Sequence, residues 1–425
     1  MAMGQYRRSL LSPSPVTAVV IAAALTLSVV MGARQTFGLF VDPLAVERGI
    51  SLSVIALAIA LHNLVWGFAQ PFAGAAADRY GAAPVVAVGA VALAGGLGLS
   101  ATASSGLQLV IGLGLLVGVG VSCTTFAVVL TSVGRVATPE QRSMAMGLAS
   151  AGGSVGQFLL VPITQLANAE LGISVALFGL AALMAAVSPL GLVLDRRAAG
   201  MAQQAPSAFA YSLSDVLALA CRHRGYILLT LGFFTCGFQL AFIATYLPGY
   251  LVVCNMPAGL GAAALAFIGL FNMVGTWGCG WLGGRIRQQY VLGWLYLIRG
   301  AAIALFFLLP KTDTSVLVFA AVMGLAWLGT VPLTSGLVAK IFGTQHLGTL
   351  FGICFFSHQV GSFLGAGVGG VIFDLTGSYG PLWIATAAAG FVAALLHFPI
   401  DDRPIDDRPI DDRSVEARPV AARPA

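Results

Sequence analysis

The chain has 425 residues, of which 58% are hydrophobic and 9% are charged, and its mean hydropathy is +0.92. Soluble globular proteins carry about 25% charged residues, so this composition excludes an ordinary soluble protein and predicts an integral membrane protein. The formal net charge of +5 comes from basic residues scattered between apolar runs. This pattern does not indicate a nucleic-acid partner, and the basic residues report membrane topology instead.

The first predicted element follows the basic flank MAMGQYRRSLLSPSP and runs from Val16 to Val41. Arg34 is its only ionisable side chain. The run is too long for the apolar core of a signal peptide, and it lacks an obvious cleavage site. We therefore expect a retained first transmembrane helix that carries a buried arginine.

Twelve apolar segments are long enough to cross a membrane, in two sets of six. We predict an all-α membrane protein with an amino-terminal six-helix bundle (1–195) and a carboxy-terminal one (226–399). A cytoplasmic linker (196–225), part of it an amphipathic surface helix, joins them, and a disordered charged repeat tail follows (400–425). The twelve segments are 16–41, 52–77, 83–103, 106–131, 142–168, 173–195, 226–251, 258–284, 290–309, 314–341, 346–372 and 380–399.

Basic residues between the spans define the expected orientation. With the amino terminus inside, the inner segments before the tail hold twelve Lys and Arg residues, whereas the outer loops hold only Arg48 and Lys311. This asymmetry predicts a multi-pass protein of the cytoplasmic (inner) membrane with both termini in the cytoplasm. The twelve are Arg7, Arg8, Arg79, Arg135, Arg142, Arg196, Arg197, Arg222, Arg224, Arg285, Arg287 and Lys340.

A faint internal duplication relates the two halves at an offset of about 205 residues. Pro43 matches Pro248, and Arg34 corresponds to Gln239. Two related halves are typical of transporters whose substrate site lies at their interface, near the membrane midplane.

The stretch GAAADRYG, from Gly74 to Gly81, follows the second span. It resembles the GxxxDRxG loop motif of the major facilitator superfamily. Gly74 and Gly81 permit close helix approach and a tight turn, while Asp78 can meet a helix N-terminus or an arginine in one conformation only. The resemblance implies a conformational gate made of Gly74, Asp78, Arg79 and Gly81. In the second half, Gly284 replaces the motif acid.

Three further stretches narrow the resemblance: TFGLF (36–40), RSMAMGLASAG (142–152) and FDLTGSY (373–379). They are similar to segments of bacterial monocarboxylate transporters and of the oxalate/formate antiporter group. The resemblance implies alternating-access transport of a small organic anion. One departure stands in the eighth span, where Asn272 and Thr276 replace the acid and arginine that monocarboxylate transporters typically carry.

Polar residues inside the spans are the candidate substrate contacts. Arg34 is predicted to bind a carboxylate through a charge-assisted, bidentate contact, with Gly38 opening space on the same helix face. The alternative for Arg34 is a structural role at the outer leaflet. Gln239 is its predicted pseudo-symmetric partner, as a hydrogen-bond donor. For Arg299, pairing with backbone carbonyls competes with substrate binding.

Two mid-span histidines complete the candidate site. His62 and Asn63 lie in the second span, and His358 lies in the eleventh. Histidine titrates near neutral pH, so either residue is a candidate carrier of a coupling proton. A structural, hydrogen-bonded role is the alternative for both histidines.

The acidic residues discriminate best between substrate classes, because no Asp or Glu lies mid-span. A pump for organic cations would keep a carboxylate in its cavity, so we predict a monomeric secondary transporter for a small organic anion, a monocarboxylate, with proton coupling left open. The alternative is an efflux transporter for drugs or neutral metabolites in which Arg34 is structural. We expect no enzyme, cofactor or metal site, because HExxH, GxSxG and ligand-like cysteine spacings are lacking.

Overall fold

The computed structural model describes residues 15–202, 212–376 and 378–405. The basic flank with Arg7 and Arg8, the middle of the linker and the later repeats of the tail lie outside these ranges. So does Gly377 of the FDLTGSY stretch.

Twelve helices in the described ranges are long and apolar enough to cross a membrane. This number, and their arrangement as six before and six after the linker, confirm the predicted fold class. They are α1 (Val16–Phe40), α2 (Ser53–Tyr80), α3 (Ala82–Ala101), α4 (Gly106–Val136), α5 (Pro139–Leu171), α6 (Ile173–Asp195), α7 (Arg224–Val253), α8 (Gly259–Gly283), α9 (Gln288–Leu308), α10 (Asp313–Phe342), α11 (Leu347–Gly367) and α12 (Gly380–His397).

Glycines set the closest helix approaches, as expected in a lipid environment. A Cβ atom on Gly156 of α5 would lie 1.8 Å from the carbonyl oxygen of Ser28 in α1. A Cβ atom on Gly237 of α7 would lie 1.8 Å from the carbonyl oxygen of His358 in α11. Only glycine allows these backbones to touch, so each half is packed through its own glycine contact.

The two halves meet most extensively along two helix pairs, α2 with α11 and α5 with α8. In the second pair, a Cβ atom on Gly147 would lie 2.6 Å from the Cα atom of Gly280. The α2–α11 contact places residues of these two helices opposite each other at the interface of the halves. The substrate site was predicted to lie at this interface.

Two helices are interrupted at equivalent places in the duplication. The helical segments of α4 end at Thr124 and resume at Phe126, and those of α10 end at Leu325 and resume at Thr330. In α4 the intervening Thr125 is extended, with φ −119° and ψ −157°. Interrupted helices expose backbone groups that need partners.

The linker contains the helix Leu213–Arg222, which buries Val216 and Ala220 on one face. The Ser212 side chain accepts a hydrogen bond from the Asp215 backbone N–H at 3.2 Å and caps its start. The helix that ends the first half continues to Ala202, beyond the predicted boundary at residue 195.

The predicted tail boundary needs correction, because the first repeat unit packs against the second half. Ile400 and Asp402 are 3% and 2% exposed. Asp402 forms ion pairs with Arg287, just before α9, and with Lys340 in the last turn of α10. Burial raises the pKa of Asp402, but its hydrogen bonds from Arg287 and Lys340 outweigh burial and lower the pKa to about 2. Residues 400–405 therefore belong to the second half.

Candidate functional site

Arg34 lies near the end of the regular part of α1 and is half-buried. Its Nη2 donates a hydrogen bond to Asn63 Oδ1 at 2.9 Å, and its guanidinium carbon lies 4.9 Å from the centroid of the Trp66 ring. Its Nε has no hydrogen-bond partner among the described residues. A Cβ atom on Gly38, one turn further along, would meet nothing within 4 Å. The guanidinium thus keeps one buried donor, Nε, without an acceptor in the described part of the chain.

The neighbours of Arg34 on α2 hold it in place. Asn63 Nδ2 donates to the carbonyl oxygen of Ile59 at 2.9 Å, which fixes the amide with its oxygen toward the guanidinium. Trp66 Nε1 donates to Thr125 Oγ1 at 3.1 Å, at the interruption of α4. The guanidinium therefore rests against a neutral amide and an aromatic face, and among the ion pairs of the described residues none includes Arg34.

An aromatic layer joins this group to the second half. The ring centroids of Trp66 and Phe355 are 4.8 Å apart, and those of Phe355 and His358 are 5.3 Å apart. Phe233 of α7 lies 4.9 Å from His358, and Phe126 of α4 lies 5.8 Å from Phe355. Residues of α2, α4, α7 and α11 thus form one continuous layer across the interface.

Polar contacts tie α11 to α2 within the same layer. Gln359 Nε2 donates to the backbone carbonyl of Asn63 at 3.2 Å, and Gln359 Oε1 lies 3.1 Å from His358 Nδ1. His358 Nε2 is buried without a hydrogen-bond partner in the described part of the chain. The structure therefore brings together three predicted site residues, Arg34, Asn63 and His358.

His62 lies behind this group, almost fully buried. Its ring is stacked with Trp66 at 6.4 Å and meets Phe37 edge-on at 5.5 Å. Its Nδ1 is 3.2 Å from the carbonyl oxygen of Ile59, and its Nε2 lacks a partner among the described residues. His62 is thus a neighbour of the Arg34 group through aromatic contacts.

Gln239 and Arg299 form hydrogen bonds elsewhere in the second half and do not contact Arg34. Gln239 Nε2 donates to the carbonyl oxygen of Thr386 in α12 at 3.0 Å. Arg299 is fully buried, and its Nε donates to the carbonyl oxygen of Ala326 at 2.8 Å, in the interruption of α10. Its Nη2 donates to the carbonyl of Trp327 as well. This geometry favours the carbonyl-pairing interpretation of Arg299, because its donors already satisfy the broken helix.

The predicted gate residue Asp78 joins the two halves. Its carboxylate accepts hydrogen bonds from the backbone N–H groups of Gly348 (3.0 Å) and Thr349 (2.7 Å) at the start of α11. It also pairs with Arg135 of α4 at 2.9 Å. A helix N-terminus favours a negative charge. A Cβ atom on Gly74 would lie 2.0 Å from the carbonyl oxygen of Gly348, so the helices touch at this level.

The other two gate residues act within the first half. Gly81 has φ +87°, and a Cβ atom there would lie 2.4 Å from the carboxylate of Asp195. Arg79 is exposed, and its guanidinium lies 5.2 Å from the centroid of the Tyr80 ring. Sequence reasoning missed Arg135 and Thr349 as partners of Asp78. A signal existed for Arg135, which lies in the last turn of α4 and matches Lys340 at the duplication offset.

The family model described as Major Facilitator Superfamily matches residues 23–366 and 279–422. Among curated relatives, the uncharacterized MFS-type transporter YcxA of Bacillus subtilis (strain 168) is 28% identical over 81% of this chain and 85% of its own length.

Two further relatives carry named substrates. Monocarboxylate transporter 13 of Rattus norvegicus is 27% identical over 89% of both chains. The oxalate:formate antiporter of Oxalobacter formigenes is 24% identical over 88% of both chains. The predicted resemblance to these two groups is thereby confirmed.

Solved structures share the architecture. The fucose:proton symporter of E. coli matches with a TM-score of 0.66 at 16% identity, over 91% of this chain and 98% of the symporter. The proton:xylose symporter XylE matches with a TM-score of 0.68 at 14% identity, over 90% of this chain and 95% of XylE. With the family match and the twelve helices, these findings show a multi-pass membrane transporter rather than an enzyme. The chain belongs to the major facilitator superfamily.

Proposed function

We propose that this secondary transporter carries a small organic anion, a monocarboxylate, across the cytoplasmic membrane by alternating access, and that Arg34 binds the carboxylate. The observation that carries the proposal is the environment of Arg34: a neutral amide, an aromatic face and no acid in an ion pair with it among the described residues. The relatives named for monocarboxylates and for oxalate and formate support an anion.

Electrostatics explains why an anion fits. An arginine inside a membrane span is costly, up to roughly 2.5–3.5 kcal/mol at a helix centre. Arg34 lies nearer the end of its helix and carries part of that cost, which a substrate carboxylate would offset. Because Asn63 accepts only from Nη2, the buried Nε is, among the described residues, an unused donor that a substrate carboxylate would satisfy by a charge-assisted contact. The aromatic face beneath the guanidinium limits its rotation, which prepares the donors for binding.

Alternating access requires that the α2–α11 contact open and close. Asp78 holds this contact through the N-terminus of α11 and Arg135. We assign the bonds of Asp78 to a state closed on the cytoplasmic side, with both chain termini on that side. Proton coupling would use His358 or His62, whose free imidazole nitrogens lie in or next to the aromatic layer.

The test is uptake of labelled pyruvate and lactate into proteoliposomes, with and without an imposed pH gradient. We expect Arg34→Gln to lower kcat/KM about 10- to 100-fold, because a hydrogen bond to a charged group contributes about 1.5–3 kcal/mol. Arg285→Gln is the matched control, since Arg285 is exposed and stacks on Trp281. Equal uptake by the parent and Arg34→Gln would refute the anion site. An unchanged rate under the gradient would refute proton coupling alone.

A further inference from the structure

We propose that Asn272 of α8 couples the contact between the two halves to the break in α10 (326–329), so that the conformation of the break depends on whether α5 and α8 touch. The inference rests on the alternating access of the proposed function. It adds a route by which separation of the halves reaches the interior of the second half.

The backbone groups of the break are satisfied by side chains from two neighbouring helices. Arg299 of α9 donates to two carbonyl oxygens of the break. Asn272 of α8 supplies the opposite polarity, since its Oδ1 accepts a hydrogen bond from the Leu328 backbone N–H at 3.0 Å. A backbone group freed by a broken helix inside a membrane bundle needs such a partner. The orientation of the Asn272 amide therefore helps to fix the break.

The α8 helix also touches both ends of the break directly. A Cβ atom on Gly275 would lie 2.0 Å from the carbonyl oxygen of Leu325, and a Cβ atom on Gly329 would lie 2.3 Å from Cys279 Sγ. Contacts this close leave no room for the two helices to shift independently. A movement of α8 is therefore felt at the break.

The same Asn272 amide bonds to the other half of the molecule. Its Nδ2 donates to Ser154 Oγ of α5 at 2.8 Å, while Thr276 Oγ1 donates to its Oδ1 at 3.0 Å. Because the amide is planar, the bond to Ser154 holds the oxygen in the direction of Leu328. Separation of α5 from α8 removes this bond, and the amide then becomes free to rotate away from the break.

The equivalent break in α4 is held differently. There the Thr125 hydroxyl accepts a hydrogen bond from Trp66 Nε1, and both residues belong to the first half. That contact can persist when the halves separate. Asn272 instead serves both halves at once, with its donor on one and its acceptor on the other. The break in α10 is thus the one of these two whose support depends on the interface.

From the break, contacts continue to α7 and α11. Arg299 Nη1 donates to Cys236 Sγ at 3.2 Å, and this sulfur lies 3.3 Å from Thr330 Oγ1, where α10 resumes. The next residue of α7, Gly237, is the one whose Cβ would meet the carbonyl oxygen of His358. A change in the break therefore reaches the helices that carry the aromatic layer.

Hydrogen–deuterium exchange of the segment 325–331, in the full-length protein in detergent, measures how often the break opens. We expect Ser154→Ala to accelerate this exchange about 2- to 10-fold, the range for loss of one neutral hydrogen bond. Ser150→Ala is the matched control. Ser150 lies one turn earlier on α5 and is also buried, and its Oγ has no hydrogen-bond partner among the described residues.

Asp78→Asn tests the same link from the other helix pair. It weakens the α2–α11 contact and favours the cytoplasm-open state, in which α5 and α8 separate. We expect exchange in 325–331 to rise in this variant as well, although Asp78 bonds to α4 and α11. Adding Ser154→Ala to Asp78→Asn should then accelerate exchange by a smaller factor than it does in the parent protein, because the bond to Asn272 is already broken part of the time.

Two results would overturn the inference while leaving alternating access intact. One is equal exchange of the segment in Ser154→Ala and Ser150→Ala. The other is an Asp78→Asn variant in which the cytoplasmic ends of α2 and α8 move apart while exchange in 325–331 stays at the parent value. Failure of the proposed function has a different signature. In that case these ends stay together in Asp78→Asn and Arg34→Gln transports as the parent does, whereas Ser154→Ala still accelerates exchange.

Discussion

At the residue scale, Arg34 shows how far a single sequence position can be interpreted. A lone arginine in an apolar run predicts a costly, functional group, and Gly38 one turn away predicts open space, which the structure shows. The sequence pattern does not identify the residue that accepts the hydrogen bond from Arg34. Asn63 lies on another helix, and its amide is oriented by Ile59 through a local bond that depends on the α2 backbone.

A substitution at Asn63 tests the absence of a counterion. Asn63→Asp keeps the shape of the side chain but places a carboxylate next to Arg34, where Oδ1 is now 2.9 Å from Nη2. We expect uptake of monocarboxylates to fall more than about 10-fold, because the new pair neutralises the cation that would bind substrate. The measurement is the KM for pyruvate in proteoliposomes.

Asn63→Ala is the comparison for this variant. It removes the acceptor without adding charge, so it should raise KM by a smaller factor than Asn63→Asp. Equal KM values for Asn63→Asp and the parent protein would contradict a substrate role for Arg34.

At the element scale, the duplication predicted equivalent helices, but it did not predict equivalent surroundings. Gln239 stands where Arg34 stands in the first half, yet it donates to α12 rather than joining the Arg34 group. Arg299 is equally instructive, because its role follows from the interruption of α10, which hydropathy does not reveal. An apolar run looks the same whether its helix is continuous or broken.

The first repeat unit of the tail is an element whose stability depends on charge. The pKa of Asp402 in the folded chain is about 2, below its ordinary value of 3.8. Its ion pairs therefore stabilise the fold fully above about pH 4, and this contribution is lost as the pH falls through 2. Because Arg287 and Lys340 are about half exposed, solvent screening weakens these ion pairs. We therefore expect Asp402→Asn to lower the free energy of unfolding by about 1 kcal/mol at neutral pH.

Thermal unfolding in detergent at neutral pH measures this loss of stability as a lower Tm for Asp402→Asn than for the parent protein. The control is Asp401→Asn, which changes the neighbouring acid but leaves Asp402 in place. If Asp402→Asn and the parent protein unfold at the same temperature at neutral pH, the tail contributes no stability through this contact.

At the scale of the whole molecule, composition and hydropathy were sufficient for the class, the twelve helices and the two halves. They were insufficient for the contact at Asp78, because two of its donors are the backbone N–H groups of Gly348 and Thr349, which carry no side-chain signature. The Thr349 hydroxyl donates to the same carboxylate. The GxxxDRxG resemblance identified Asp78, and only the assembled bundle supplied its partners.

The prediction at this scale concerns the balance between the two access states. Asp78→Asn removes the charge that the α11 N-terminus and Arg135 stabilise, so we expect the cytoplasm-open population to rise about 10-fold, a change of about 1.4 kcal/mol. Spin labels at Tyr80 and Ile286, both exposed and on opposite halves, would report it as a longer distance distribution.

Asp313→Asn, at the other end of the bundle, is the matched control for this experiment. An Asp78→Asn variant whose distance distribution coincides with that of the control would show that Asp78 does not set the equilibrium.

The packing of the first repeat unit, residues 400–404, affects how well the fold tolerates deletions in the tail. The sequence IDDRP at 400–404 is followed by the same five letters at 405–409. If replication slippage deleted one unit, the next copy would follow α12 at the same distance and offer an identical isoleucine and aspartate to Arg287 and Lys340. Because the repeat units are identical, deletion of one whole unit should leave the contacts with Arg287 and Lys340, and hence the stability of the fold, nearly unchanged. Deletion of two residues would shift the register and remove these contacts.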